Sequence, residues 1–520
     1  MTQLEPTFNL WTEPWITLER ADGALEDVGI EQALLESHCF RAIYDPSPLV
    51  VVGIHRLLAA ILQDALDPQR PGDLAGLWRE ERFSEETIRE FGAQYTNRFD
   101  LFSEGAPFLQ SADLPRVPPP RGADLKSVMY LMPDFPTGSG VTHYRHGSAA
   151  DGVFCAVCAA RGLVTIPPFA TSGGAGIKPS INGVPPIYVV PGGETLFASL
   201  AASLVVPRYQ PQAASTAEDA AWWKREPVVP HKAVVHEVGY VHSLTFPARR
   251  VRLHPTAAAG SCARCGRQDA WSVQTMVFQM GESRPGDAPF WLDPFAAYRL
   301  REDKDPVPVR PLEGRVLWRE FAALFLPSSE KDHQTIPPTV VYQLANEPVR
   351  TDQFACPVRC VGLRTDMKAK VFEWVDAGFD VPLELARGAD AADLVREGID
   401  YAVDCAGIIA KAFRQTFGGE GNTERYAALR QRMEADYWAA LAGPFRQFVL
   451  NVAREDTHAA AERAWVAGVA RQAYQSFETH SKMTSSDAAT LAERVQGCKR
   501  CRILLGSRRK EQLPNEPTND

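Results

Sequence analysis

Two cysteine knuckles constrain this chain more than any other feature: Cys155-Ala-Val-Cys158 and Cys262-Ala-Arg-Cys265. A CxxC turn presents two thiolates to one face of a metal. Two such turns complete a tetrahedral four-thiolate site of the structural zinc type, with no position left open for water. Gly266 follows the second knuckle and suits its tight turn. The knuckles lie roughly a hundred residues apart, so a shared ion would tie distant segments into one domain. Of the other cysteines, Cys356/Cys360 and Cys498/Cys501 form close pairs, and Cys39 and Cys405 stand alone. Close pairs in a reducing compartment point to metal before disulfide. Cys498 and Cys501, on a predicted helix, are the competing ligand pair.

Composition sets the wider frame. A chain of 520 residues with 45% hydrophobic and 23% charged residues has room for more than one core. The net charge of −9 argues against a protein coated in cation, such as a polybasic DNA binder, and leaves a local basic groove open. The best candidate for a membrane span, Leu49 to Leu62, reads as too short and contains His55 and Arg56. The first residues lack the charged and apolar regions of a signal peptide. The expectation is a cytoplasmic protein without a membrane partner.

Up to about residue 380 short strands such as Pro186-Ile-Tyr-Val-Val190 alternate with helical stretches such as Pro48 to Leu66. Pro/Gly-rich segments at 115–125, 166–193 and 283–290 read as loops. This predicts one large mixed α+β domain over 1–380. Beyond it the chain turns to Ala-rich amphipathic helix. Val395, Ile399, Ala402, Ala406, Ile409 and Phe413 make one apolar stripe; Tyr426, Leu429, Met433, Tyr437 and Ala440 a second, with a kink expected at Pro444. Val466, Val469, Ala470, Ala473 and Phe477 mark a third, and a fourth helix runs to about Leu505. The expectation is a four-helix bundle over 381–505 and a disordered tail over 506–520.

The acidic total hides a local asymmetry. No Asp or Glu occurs from Arg249 to Gln268, which holds Arg249, Arg250, Arg252, Arg264, Arg267 and His254, and none occurs from Gly152 to Gly193. Each stretch carries one knuckle, so a shared metal would gather positive charge suited to phosphate contact. Gly173-Gly174-Ala175-Gly176-Ile177-Lys178 lacks the ending of a P-loop, and its glycines instead suit close approach of backbone to a polymer. His143-Tyr144-Arg145-His146 combines stacking rings with a cation. His236-Glu237 is followed by His242 at the wrong spacing for a metalloprotease helix, and no GxSxG or deaminase pattern occurs. No active site is expected; a zinc-dependent nucleic-acid-processing enzyme is the alternative.

Several segments together resemble the CasA family, the large subunit of the type I-E CRISPR Cascade surveillance complex. They are Phe8-Asn9-Leu10-Trp11 through Pro14-Trp15-Ile16, Phe99-Asp100-Leu101-Phe102 with Pro107-Phe108-Leu109-Gln110, and Lys178-Pro-Ser-Ile-Asn-Gly183 through Pro185-Pro-Ile-Tyr188 to Gly193-Glu-Thr-Leu-Phe197. The paired knuckles and the closing bundle complete the resemblance. It implies a subunit that works with other Cascade subunits and their crRNA. Such a subunit inspects double-stranded DNA for the protospacer-adjacent motif, mainly through the minor groove, aids strand separation, and docks a helicase-nuclease. It implies DNA contact by the glycine loop, Gly173, Gly174 and Gly176 with Lys178. It implies a guide-handle and motif loop at His143, Tyr144, Arg145 and His146, and a strand-opening wedge at Asp366, Met367 and Lys368, where Met367 stands in place of a glutamine. A motif-contacting lysine is expected after the second knuckle; none lies between Cys265 and Arg301, and Gln279 and Arg284 are the substitutes at hand.

Overall fold

The apolar run after Ser47 folds as one helix of 19 residues, Pro48–Leu66, in the structure of the protein, a computed structural model. The structure describes residues 5–118, 124–132, 152–171, 176–181, 183–211, 219–257, 260–286, 290–301, 304–328, 334–347, 353–365, 371–388, 390–417, 426–484 and 488–514. They divide into two units, Met1–Pro311 with Lys331–Gly378, and Leu312–Glu330 with Phe379–Asp520.

Pro48–Leu66 corrects the sequence expectation of a run too short to span a bilayer: its length and a mean hydropathy of 1.7 both suffice. It is nonetheless the core helix of the first unit, with 83% of that apolar window buried inside the protein. Its two polar residues show why. Arg56 donates from both terminal nitrogens to Asp293 at 2.9 Å and lies 4.9 Å from the Tyr188 ring centre and 5.0 Å from that of Phe295. His55 Nε2 sits 2.8 Å from Ser203 Oγ. Burial first, and the Arg56 charge second, hold the His55 imidazole down to about 3. Unfolding therefore takes up a proton once pH drops below the ordinary value near 6.5, so stability falls from there toward pH 3. In urea titrations the parent is expected to lose about 1.4 kcal/mol per pH unit relative to a His55→Gln variant across that window. Parallel pH profiles would discount His55 as the cause.

The two N-terminal signature segments pair with each other. Leu10 N donates to Phe99 O and Leu101 N to Phe8 O, both at 2.9 Å, and Trp11 and Phe99 rings pack 5.5 Å apart. Gln110 donates to Leu101 O at 2.7 Å and accepts from Leu253 N at 2.8 Å. These residues bind the N-terminal segment to a long hairpin, Arg249–Ala257 against Trp271–Met280. A small sheet, with Ile16–Arg20 between Leu25–Val28 and Phe40–Ile43, lies N-terminal to the core helix in the chain. The long hairpin also pairs with Leu125–Ser127 and with Phe154–Cys155. Another sheet orders Val371–Pro382, Ala355–Thr365 and Tyr188–Pro191.

In the second unit the expected stripes are buried at Val395, Ile399, Ile409 and Phe413 of Ala391–Phe417 and at Met433 and Tyr437 of Ala427–Ala440. His458–Ser481 buries Val466, Val469, Ala473 and Phe477, and Ala488–Gln512 closes the set. The second leg is two helices, because the chain breaks at Leu441 and restarts as Ala442–Val452. Pro444 falls in that first turn, where its missing N–H has no intrahelical partner to lose; the break precedes the expected kink site. Trp465 Nε1 donates to Gly398 O at 2.8 Å and its ring stacks on Phe448. Residues 312–330, expected in the first domain, belong here: Trp318 stacks on Phe445 at 4.6 Å and donates to Trp438 O at 3.2 Å. Of the tail expected to be disordered, residues 506–512 are helical, and 515–520 lie outside the described residues.

Candidate functional site

Strand register brings the two knuckles together. Phe154 pairs with Val273 and Cys155 with Ser272, at the end of the strand Trp271–Met280 nearest the connection that carries Cys262 and Cys265. Ala263 N then donates to Val153 O at 2.8 Å, joining one knuckle to the other. Cys155 caps the helix Ala156–Leu163, its Sγ accepting from Cys158 N at 3.4 Å. Gly266, at φ +75, donates to Cys262 O at 2.8 Å and closes the second turn in the left-handed region.

The four sulfurs lie within 4.8 Å of one another, and this is the metal-capable cluster among the described residues. Cys155 and Cys265 sulfurs are 3.6 Å apart, close to the edge of about 3.8 Å of a tetrahedron with metal–sulfur bonds near 2.3 Å. Cys155, Cys158 and Cys262 are buried and Cys265 is exposed. Hydrogen bonds from Cys155 and Cys158 hold the Cys262 thiol well below its ordinary value. Hydrogen bonds to Cys158 and Cys262, with burial, push Cys155 up. Four thiols packed this closely cannot all ionise without a cation; with one they can hold a metal ion. The competing pair is placed elsewhere: Cys501 is buried in the second unit, on the helix Ala488–Gln512.

The arginines of the acid-free stretches do not form a free basic surface, which corrects the charge argument from sequence. Arg249, Arg250 and Arg252 are all buried on the hairpin. Arg250 pairs with Asp113 at 2.6 Å, and Arg252 donates to Ser103 O and Glu104 O. Arg264 pairs with Asp45, Arg161 with the same carboxylate at 3.3 Å, and Arg267 with Asp27 at 2.9 Å. His254 is shared between Thr275 and Pro115 O. Asp45, wholly buried at its side chain, went unnoticed in the sequence; it stands 116 residues from Arg161 and 219 from Arg264, so no local pattern signals it.

The segment around the glycine loop is pinched at its base. Ser180 N donates to Ala170 O at 2.9 Å, Ser180 Oγ to Pro167 O at 2.7 Å, and Arg249 to Thr171 O at 2.7 Å. Gly176 has φ +83, and a Cβ built on it would meet nothing within 4 Å; Lys178 is exposed. Gly173 and Gly174 lie outside the described residues, as do His143, Tyr144, Arg145 and His146 and the wedge positions Asp366, Met367 and Lys368. The strands flanking the wedge positions, Ala355–Thr365 and Val371–Pro382, are hydrogen-bonded neighbours. They are cross-braced by Arg359–Asp376 at 2.7 Å and Arg364–Glu373 at 2.9 Å. Of the substitutes for the expected lysine, Gln279 donates to Asp124 at 3.0 Å and Arg284 to His236 O at 3.3 Å.

A family model described as CRISPR-associated protein Cse1 matches residues 9–476. A CRISPR-associated protein CasA/Cse1 of Thermus thermophilus is 27% identical, over 96% of this chain and 97% of that protein. Among solved structures, Cse1 from Acidimicrobium ferrooxidans superposes with a TM-score of 0.79 at 22% identity, covering 98% of this chain and 99% of that one. A chain of a CRISPR RNA-guided surveillance complex superposes with a TM-score of 0.75 at 20% identity, covering 96% and 100%. At these identities the structural likeness establishes the fold.

Proposed function

This chain belongs to the CRISPR-associated protein Cse1 family, and we propose that it serves as the large subunit of a type I-E Cascade complex, acting in the cytoplasm with the other subunits and their crRNA. In this role it inspects double-stranded DNA for the protospacer-adjacent motif, helps open the duplex and recruits the helicase-nuclease. Protein reads a short motif and duplex shape while base pairing reads sequence. In this reading the metal site is structural and not an active site: four sulfur donors leave a bound ion no position for water, which disfavours the zinc-enzyme alternative. The ion is structural zinc, held by Cys155, Cys158, Cys262 and Cys265, whose donor set and spacing fit it.

The observation that carries the DNA-reading role is the clamped base of the glycine loop. Its flanks are fixed by Ser180 to Ala170 O and by Arg249 to Thr171 O, so the loop is presented from the hairpin that also bears the second knuckle. Gly173, Gly174, Gly176 and Lys178 approach the motif's minor groove, with His143 to His146 at the guide handle and motif, Arg284 in place of the expected motif-contacting lysine, and Asp366, Met367 and Lys368 as the wedge. An apolar side chain such as Met367 suits unstacking of a base step. In the complex assembled with crRNA, Gly174→Asp is expected to weaken binding of a motif-bearing duplex by roughly tenfold or more, about 1.4 kcal/mol. Metal content should stay at the parent level. Parent-like binding by the variant would remove the glycine loop from the mechanism.

A further inference from the structure

Two exposed lysines from different segments are anchored to one residue of the long hairpin. Lys178 N donates to Met280 Sδ at 3.3 Å, and Lys232 N donates to Met280 O at 3.3 Å. Lys232 holds φ +54, a left-handed conformation that a lysine adopts only at a cost in energy. The residues after it fix that conformation. Ser283 N donates to Ala233 O and Val235 N to Ser283 O, both at 2.9 Å, in a parallel bridge of Val234 with Ser283.

Arg249, Arg250 and Arg252 are buried and spent on internal acceptors. Of the nearby acids, Asp124 holds Gln279, and Glu282 is buried between Arg225 and His242. Lys178 and Lys232 enter no ion pair among the described residues. Gly176, two residues before Lys178, leaves backbone open to close approach.

We propose that Lys232 and Lys178 form a two-cation clamp that grips the sugar–phosphate backbone of the target duplex beside the glycine loop. The clamp rests on the DNA-reading role proposed above. Phosphates follow one strand at about 3.4 Å of rise each, so neighbouring phosphates fall within reach of two cations tethered to one residue. Such contacts fix register without reading sequence.

The test uses the complex assembled with crRNA and two duplexes, one with the motif and one with a mutated motif, titrated between about 50 and 200 mM salt. Lys232→Asn removes the charge and keeps a residue that tolerates the left-handed backbone; Lys232→Arg keeps the charge. Lys232→Asn is expected to weaken both duplexes by a similar factor, roughly threefold or more, and to lower the slope of log affinity against log salt by about 0.9. Adding Lys178→Ala should lower it by about 1.8 in total, and Lys232→Arg should leave it at the parent value. An unchanged slope, a loss confined to the motif-bearing duplex, or Lys232→Arg behaving like Lys232→Asn would each overturn the clamp while leaving the DNA-reading role in place. A parent complex that binds neither duplex would instead overturn that role itself.

Discussion

Replacing Cys262 by serine is expected to release the metal and to unfold the tip of the long hairpin. Few apolar contacts hold that tip: past His254 the strand Arg249–Ala257 passes from buried to exposed, and Cys265 is exposed. What joins it to the rest of the unit is the short pairing with Trp271–Met280, one backbone bond from Ala263 to Val153 O, the ion pairs of Arg264 with Asp45 and Arg267 with Asp27, and the four sulfurs. Structural zinc contributes about 10–16 kcal/mol in small zinc-binding peptides, comparable to the whole stability of an ordinary domain, about 5–15 kcal/mol. Loss of one sulfur from a four-sulfur set therefore costs several times what an ordinary core substitution does. Metal content should fall from one ion per chain toward none, and the first thermal transition should drop well below the parent's. A strong chelator should reproduce the effect in the parent. Acidification should too, because the ligands bind as thiolates and protons compete for them, so stability is lost as pH falls. Cys498→Ser and Cys501→Ser, on a helix of the second unit, should leave the metal in place. A Cys262→Ser protein that keeps its full complement of metal and its parent melting temperature would refute the assignment.

That site was legible because its signal is local: two thiolates per turn, at a spacing that chemistry demands, with Gly266 closing the second turn. The helices of the second unit were legible for a related reason, since one buried face writes itself into the sequence every three or four residues, as at Val395, Ile399, Ile409 and Phe413. Tertiary partners left no such trace. Arg249, Arg250, Arg264 and Arg267 looked like cations waiting for phosphate. Their true partners, Thr171 O, Asp113, Asp45 and Asp27, lie 78 to 240 residues away. An acid-free stretch thus records where the acids are not in sequence, while electrostatics depends on where they are in space. Residues 312–330 were misassigned because Trp318 reads as any apolar residue until Phe445 and Trp438 close around it. Lys232 was invisible because its interest lies in a backbone angle and a bond to Met280, neither of which a lone lysine between His231 and Ala233 announces.

Outside the metal site, Asp293→Ala is expected to be among the most costly single substitutions in the first unit, at about 3–5 kcal/mol. Asp293 and Arg56 are 2% and 1% exposed, so neither charge has water to fall back on. The carboxylate takes both terminal nitrogens of Arg56 and also accepts from Phe295 N at 2.9 Å, which fixes the chain where it meets the core helix. Truncating it leaves a guanidinium that cannot readily shed its proton in a cage of Tyr188 and Phe295. The ring faces stabilise that cation only in part, and the desolvation cost remains. The same reasoning makes the double variant informative. Arg56→Met with Asp293→Ala removes both charges and fills part of the volume with apolar atoms, and replacement of a buried ion pair by apolar residues is often close to neutral. Urea unfolding should therefore show the double variant more stable than Asp293→Ala alone, with a coupling energy above about 1 kcal/mol. A single variant that loses less than about 1 kcal/mol, or a double variant no better than the single, would show that the pair is not the electrostatic centre of this core.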